Sequence, residues 1–275
     1  MLGIKLVHSD NGMILSKAHY VESVLALYGM RKCKPMMTPM VPNSHQEEST
    51  PEECSQFEAL NTNYMSAVGS LNYLSVATQP DISFAVSSLS QFLEKPEICH
   101  WNAFLYILCY LRGTVDYGLH YTADGVGDLC AYSDANWGNC RKTQRLITCF
   151  VISFKHCLVI WKTRKQHSVS FSTAEAEYKA LMDLSTEILW LRQFLKELSL
   201  CELVSPTTIF DDNQGCINTA NSDSNSNTRC MKHVDIQLHL IREVIWNELI
   251  KVIYIPSDEM LAYFMTKLVC RPALF

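Results

Sequence analysis

Apolar and polar positions change period several times along the chain, and each change marks an element. Residues 2–8 and 13–15 alternate about Asn11-Gly12, a dipeptide that tolerates positive φ, and predict a β-hairpin. From Lys17 to Met30 the period lengthens: Tyr20, Val24, Leu27 and Tyr28 share one face, and Gly29 stands near the end, as in a helix. Residues 35–53 carry four prolines and no period, so they read as a linker or strap. Helical spacing returns from Tyr64 to about Gly113, interrupted at Gln79-Pro80 and Lys95-Pro96. Its apolar and aromatic residues predict the core of a small helical unit.

After Thr122 the texture changes, and a domain boundary is expected there. Short β-type runs occupy 128–134, 147–154 and 158–163, the last two joined by a turn at Lys155-His156. A long helix follows from Thr173 to about Leu198. Then come a strand at 207–212, a short helix from Asn213, a polar loop at 221–229, a helix over 233–248, a strand at 250–255, and a last helix opening at Ser257-Asp258. A three-strand meander followed by alternating helices and strands predicts a mixed α/β sheet flanked by helices.

Composition narrows the setting. The chain has 275 residues, 48% of them hydrophobic, enough for one large core or two smaller ones. No uncharged apolar run reaches the length of a membrane span, and the opening MLGIKLVHSDNG lacks the pattern of a signal peptide. It reads as the start of a strand, as though the frame opened inside a domain. The 12 cysteines are scattered and form no Cys-x-x-Cys pair, so an intracellular, cytoplasmic or nuclear, setting is expected. A net charge of −5 means that any polynucleotide partner must be held by local basic patches or by metal ions.

Three acids stand out as candidates for chemistry. Asp134 ends the run LCAYSD in place of a packing residue. On the long helix, Leu181, Leu184, Ile188, Leu191 and Leu195 form a buried stripe. A backward step of four reaches Glu177, while Glu175 lies about 200° round and points elsewhere. In IFDDNQ, Asp211 and Asp212 fall on opposite sides of a strand, and only one can face the helix-covered core. Asp212 is also placed to cap the helix begun by Asn213-Gln214, which would explain it without any chemistry. If Asp134, Glu177 and Asp212 converge, their mutual repulsion calls for a cation among them. All-oxygen ligands suit Mg²⁺ or Mn²⁺ better than zinc.

The order of motifs resembles a known family. YSDANWG, WKTRKQ, STAEAEYKAL, DDNQGCI, KHVDIQLHLIRE and IPSDEMLAYFMTKL together resemble the ribonuclease H domain of copia-type LTR retrotransposon polyproteins. LGIKL, ILSKAHYVESVLALYGM and CKPMMTPM resemble the end of their reverse transcriptase. AVGSLNYLSVATQPDISFAVSSLSQFLEKPEICHWNAFLYILCYLRGT resembles the segment joining polymerase to ribonuclease. The resemblance implies a reverse-transcriptase remnant and linker over 1–60, a helical connection segment over 61–121 and a ribonuclease H-like domain over 122–270. The last would have a five-stranded mixed sheet. Asp134, Glu177 and Asp212 would be the first three of four acids holding Mg²⁺ or Mn²⁺ to cut the RNA strand of an RNA–DNA hybrid. Lys162, Arg164, Lys165 and His167 would meet the hybrid backbone, although a solvated edge strand would look the same. His233 and His239 match histidines of the family's motifs.

This sequence also departs from the family. The fourth acid's position is Tyr263, whose neutral phenol is no hard anionic ligand at pH 7. Glu259 could substitute only if both residues lay one turn apart on the last helix. Asp211 stands where an apolar residue or cysteine is usual, and Leu146 to Phe150 replace a Ser-Thr-Ser-Gly-Tyr run. The polymerase's catalytic aspartates would precede residue 1, so no polymerase activity is expected. The resemblance thus implies an impaired nuclease or, alternatively, a non-catalytic nucleic-acid-binding or scaffolding remnant. Either could associate with a polymerase portion or, through its first strands, with itself.

Overall fold

The computed structural model of the chain describes residues 3–41, 57–122, 128–136, 146–166, 172–199, 203–222 and 235–265. The chain packs as two compact units that meet in sequence at residues 124 and 125.

The first unit opens with the expected hairpin, β1 (Lys5–Ser9) and β2 (Gly12–Ser16), paired in register from Lys5↔Ser16 to Ser9↔Gly12. Gly12 has φ +154°, and a Cβ there would collide with the Tyr121 carbonyl, so the close strand approach requires glycine. That neighbouring strand is β3 (Gly118–Thr122), a third antiparallel member that the hydropathy pattern did not reveal. β1 is an edge strand with Leu6 and Val7 exposed.

Helix α1 (Ala18–Leu27) ends in a Gly29 turn at φ +70°, where Met30 N donates to Leu25 O and Gly29 N to Ala26 O. The helical stretch breaks where the prolines predict: α2 (Tyr64–Ala77), a 3-10 turn at Pro80–Ile82, α3 (Ser83–Ser90) and α4 (Ile98–Gly113). Val21, Val24 and Leu25 of α1 share one core with Leu71, Leu74, Phe104 and Leu108, so the hairpin helix and the later helices form a single packed body.

The second unit is built on five strands: β4 (Leu129–Asn136), β5 (Ile147–Phe154), β6 (Cys157–Lys165), β7 (Thr207–Asp211) and β8 (Ile250–Tyr254). Their order is β6-β5-β4-β7-β8. The first three are antiparallel neighbours, while β7 joins β4, and β8 joins β7, in parallel. Lys155 and His156 both take positive φ, 51° and 62°, which closes the tight β5–β6 turn.

Helix α5 (Thr173–Glu197) covers the sheet, its buried stripe Leu181, Leu184 and Ile188 lying against Leu129, Ala131, Phe150, Ile152 and Ile209. Burying such side chains contributes roughly 1.5–3 kcal/mol each, which fixes the helix in one register over the strands. Helices α6 (Gln214–Asn221) and α7 (Asp235–Trp246) complete this core through Cys216, Ile217, Ala220, Ile241 and Val244. Among the described residues the helix expected to open at Ser257-Asp258 does not start there: residues 257–259 form a turn, and the short 3-10 helix Leu261–Met265 follows. The mixed five-stranded order with its covering helices is the ribonuclease H-like fold.

Candidate metal centre

The parallel register of β4 and β7 brings the first two acids together. Tyr132 pairs with Phe210, and their rings stack at 5.0 Å. Two residues further along stand Asp134, still within β4, and Asp212, just past the end of β7. Glu177 arrives from the second turn of α5, whose start is fixed twice. Ser172 caps it, accepting a hydrogen bond from Glu175 N at 3.1 Å. Buried Gln166, at the end of β6, donates to the Ala176 carbonyl and to Thr148 Oγ1, both at 2.9 Å. Carboxylate oxygens of Asp134, Glu177 and Asp212 all lie within 4.8 Å of one another.

Charges this close and this buried shift each other. Asp134 and Glu177 are 4% and 5% exposed. Burial, and then the charges of Asp211, Asp134 and Asp212, push the Glu177 carboxyl up to about 10, against a smaller opposing pull from the Ala135 N–H. Glu177 Oε2 has no hydrogen-bond partner. A buried carboxylate oxygen without a donor, facing two further carboxylates, is a good fit to a hard divalent cation held by Asp134, Glu177 and Asp212.

Several sequence expectations change here. Asp212 does not cap α6: Asn213 does, accepting from Cys216 N at 3.0 Å, while Asp212 Oδ2 accepts from Ser257 Oγ at 2.6 Å. Asp211 is the acid that faces the helix-covered core, and it is fully buried. Burial raises its carboxyl to about 7, the Asn213 N–H draws it down, Asp212 and Asp134 raise it, and the Cys216 thiol lowers it. Glu175 is off the leucine stripe as expected but is buried too, held by Lys179 at 2.8 Å. Its helix-start role therefore includes a local ion pair.

Tyr263 lies half-buried on the last 3-10 helix. That helix is drawn toward Asp134: Cys149, the β5 partner of Asp134, donates its thiol to the Ala262 carbonyl at 3.1 Å. Glu259 is exposed on the preceding turn, so the shared helix that substitution would need is missing.

Lys162 and Arg164 alternate along β6 and reach back to α5, binding Glu187 at 2.9 Å and Asp183 at 2.6 Å. The i, i+4 spacing of those two acids, matched to the i, i+2 spacing on the strand, was the available signal for this pairing. His167 and His233 lie outside the described residues, and His239 is exposed. In the first unit Glu97, Cys99 and His100 also cluster, but at the start of α4 Glu97 and His100 are engaged in a reciprocal capping box.

No family model matches the chain. It is 35% identical over 280 residues to the retrovirus-related Pol polyprotein from transposon TNT 1-94 of Nicotiana tabacum, which covers 98% of this chain and 20% of that one. The Pol polyprotein from transposon RE2 of Arabidopsis thaliana is 33% identical over 277 residues, covering 99% and 18%. Among solved structures, LC11-RNase H1 crystallised with an RNA/DNA hybrid overlays with a TM-score of 0.35 and 12% identity, covering 48% of this chain and 88% of that one. The chain spans about a fifth of the length of these polyprotein relatives. Matched in sequence from end to end, and carrying a ribonuclease H-like sheet in its second half, the chain belongs to the Pol polyproteins of copia-type retrotransposons.

Proposed function

We propose that the second unit is a divalent-cation-dependent nuclease domain of the ribonuclease H type, directed at the RNA strand of an RNA–DNA hybrid and impaired in this copy. The observation that carries the reading is the meeting of Asp134, Glu177 and Asp212 oxygens within 4.8 Å. Mg²⁺ or Mn²⁺ bound there would activate a water and stabilise the leaving oxygen. Asp134 and Asp212 present their oxygens from fixed strand ends. Ser257 orients Asp212, and Gln166 holds the turn of α5 that carries Glu177. An intracellular setting is consistent with the described cysteines, none of which forms a disulfide. Among the described residues no helix is long and apolar enough to cross a membrane.

Impairment follows from position 263. A tyrosine there leaves the pocket one anionic oxygen donor short of the family's set. The basic residues of β6 belong to the same reading: Lys165, with His167 beyond it, would meet the hybrid backbone, while Lys162 and Arg164 contribute charge already shared with α5 acids. The loss at 263 also favours a second reading, in which the domain binds hybrid without cutting it. Cleavage of a labelled hybrid by the purified chain separates the two. Weak cutting by the wild type, abolished in Asp212→Asn and raised in Tyr263→Asp, supports the impaired nuclease. No cutting by any variant, with hybrid binding retained, supports the second reading. Full activity in the wild type overturns the assignment of impairment.

A further inference from the structure

Two thiols of the first unit, from segments far apart in the chain, meet near its surface. Beyond the Gly29 turn the chain runs back along the last turn of α4, and three contacts fix its course. The Arg31 carbonyl accepts from Arg112 Nε at 2.9 Å, and Met36 N donates to the Cys109 carbonyl at 3.1 Å. Pro35 lies so close to Gly113 that a Cβ there would come within 3.1 Å of the Pro35 Cβ. Cys33 stands between these anchors, and its own N–H closes a turn on the Met30 carbonyl at 3.2 Å. Its side chain shares a hydrogen bond with the Cys109 thiol. Both thiols are half-buried, and neither is in a disulfide.

The described cysteines Cys99, Cys130 and Cys149 have oxygen partners in Glu97, Ser153 and Ala262, whereas Cys33 and Cys109 have each other. Burial, and then the hydrogen bond and charge of Cys33, push the Cys109 thiol up to about 11. At neutral pH Cys109 is therefore the donor of the bond and Cys33 the acceptor. Arg31, Lys32 and Lys34 flank Cys33, and Arg112 lies three residues after Cys109, all four exposed. Cations around a partly exposed thiol mark a reactive one and draw anionic reagents to it.

We propose that Cys33 and Cys109 are a reversible disulfide site, oxidised by small anionic disulfides of the glutathione class, which fastens residues 31–36 to α4. Cys33 attacks one sulfur of the external disulfide; that S–S bond breaks and one thiolate leaves. Cys109 then loses its proton to solvent, attacks the Cys33 sulfur and expels the second thiolate. Two protein thiols are oxidised, and one external disulfide is reduced to two thiols. The bridge closes a loop from residue 33 to residue 109 and so constrains the unfolded chain. The site lies wholly in the first unit and does not depend on the metal centre of the second.

The test exposes the full chain to glutathione disulfide, with peptide mapping by mass spectrometry under non-reducing conditions and a thermal melt. The expected result is a Cys33–Cys109 cross-linked peptide that forms ahead of links among other cysteines and is reversed by dithiothreitol. The link should raise the melting temperature by about 5 °C or more. Cys109→Ser should trap Cys33 as its mixed disulfide with glutathione, and Cys33→Ser should form neither species. Cys109→Ala carries the same trap should the serine variant not fold. The neutral hydroxyethyl disulfide should react more slowly than glutathione disulfide, and high salt should narrow that difference. An unmodified pair while other thiols oxidise, or Cys33 or Cys109 joined to other cysteines instead, overturns the proposal. So does a link with a smaller rise or a fall in melting temperature, an untrapped Cys33 in both Cys109 variants, or equal rates with the two disulfides.

Discussion

Replacing Glu177 by glutamine should stabilise the metal-free protein. In the folded chain the Glu177 carboxyl titrates at about 10, against 4.5 for an ordinary glutamate, because burial and three neighbouring acids disfavour its charge. Between those values the native state holds a proton that the unfolded state has released. Stability therefore falls as pH rises through that window, and the penalty is absent below about pH 4. Each pH unit is worth about 1.4 kcal/mol, so by pH 7 the penalty reaches about 3 kcal/mol. Glutamine keeps the volume and removes the titration. For a unit of this size the gain corresponds to roughly 10 °C in melting temperature at pH 7, and to almost nothing at pH 4. Melts of wild type and Glu177→Gln in chelator, across pH 4 to pH 8, read it directly. A variant that melts below wild type at pH 8, or a difference that does not change with pH, would refute the electrostatic account of this site.

Three further outcomes follow from the same geometry. Added Mn²⁺ should raise the wild-type melting temperature more at pH 8 than at pH 5, since a cation compensates acids that must ionise, and the rise should vanish in Asp134→Asn; calorimetry with and without metal checks this. Gln166→Ala removes two buried hydrogen bonds and should destabilise the second unit by about 1–3 kcal/mol while weakening Mn²⁺ binding, because the start of α5 loses its tie to β6; denaturant unfolding and metal titration measure the two effects. Asn213→Ala should cost about 1 kcal/mol through the lost cap of α6, whereas Lys162→Met, breaking a half-exposed ion pair, should cost less than about 1 kcal/mol in the same unfolding assay.

Elements whose residues face one core announced themselves through periodicity. The α5 stripe located both the helix and Glu177, and the five strands of the second unit stood out as short apolar runs. Turns that depend on one residue's backbone were equally plain, as at Asn11-Gly12 and at the proline breaks between α2 and α4. Features that depend on partners far away in the chain were hidden. β3 is a short, half-exposed strand whose identity comes from pairing with β2, far earlier in the sequence, as in Met13↔Tyr121. The burial of Asp211 follows from which face of β7 is covered, and local alternation alone leaves that choice open between two adjacent aspartates. The ion pairs of Lys162 and Arg164 depend on how α5 crosses β6. The first-turn acids Asp258 and Glu259 suggested a helix opening at Ser257-Asp258, but among the described residues they lie in a turn, and the 3-10 stretch Leu261–Met265 that follows is tied to a distant strand by the contact of Cys149 with Ala262.

The account turns on three acids from separate elements serving one cation. Diffraction from crystals grown in Mn²⁺, recorded where manganese scatters anomalously, tests this without reference to activity. The account predicts an anomalous peak bounded by oxygens of Asp134, Glu177 and Asp212. Manganese elsewhere on the molecule, with those oxygens still facing one another without an ion, would contradict it.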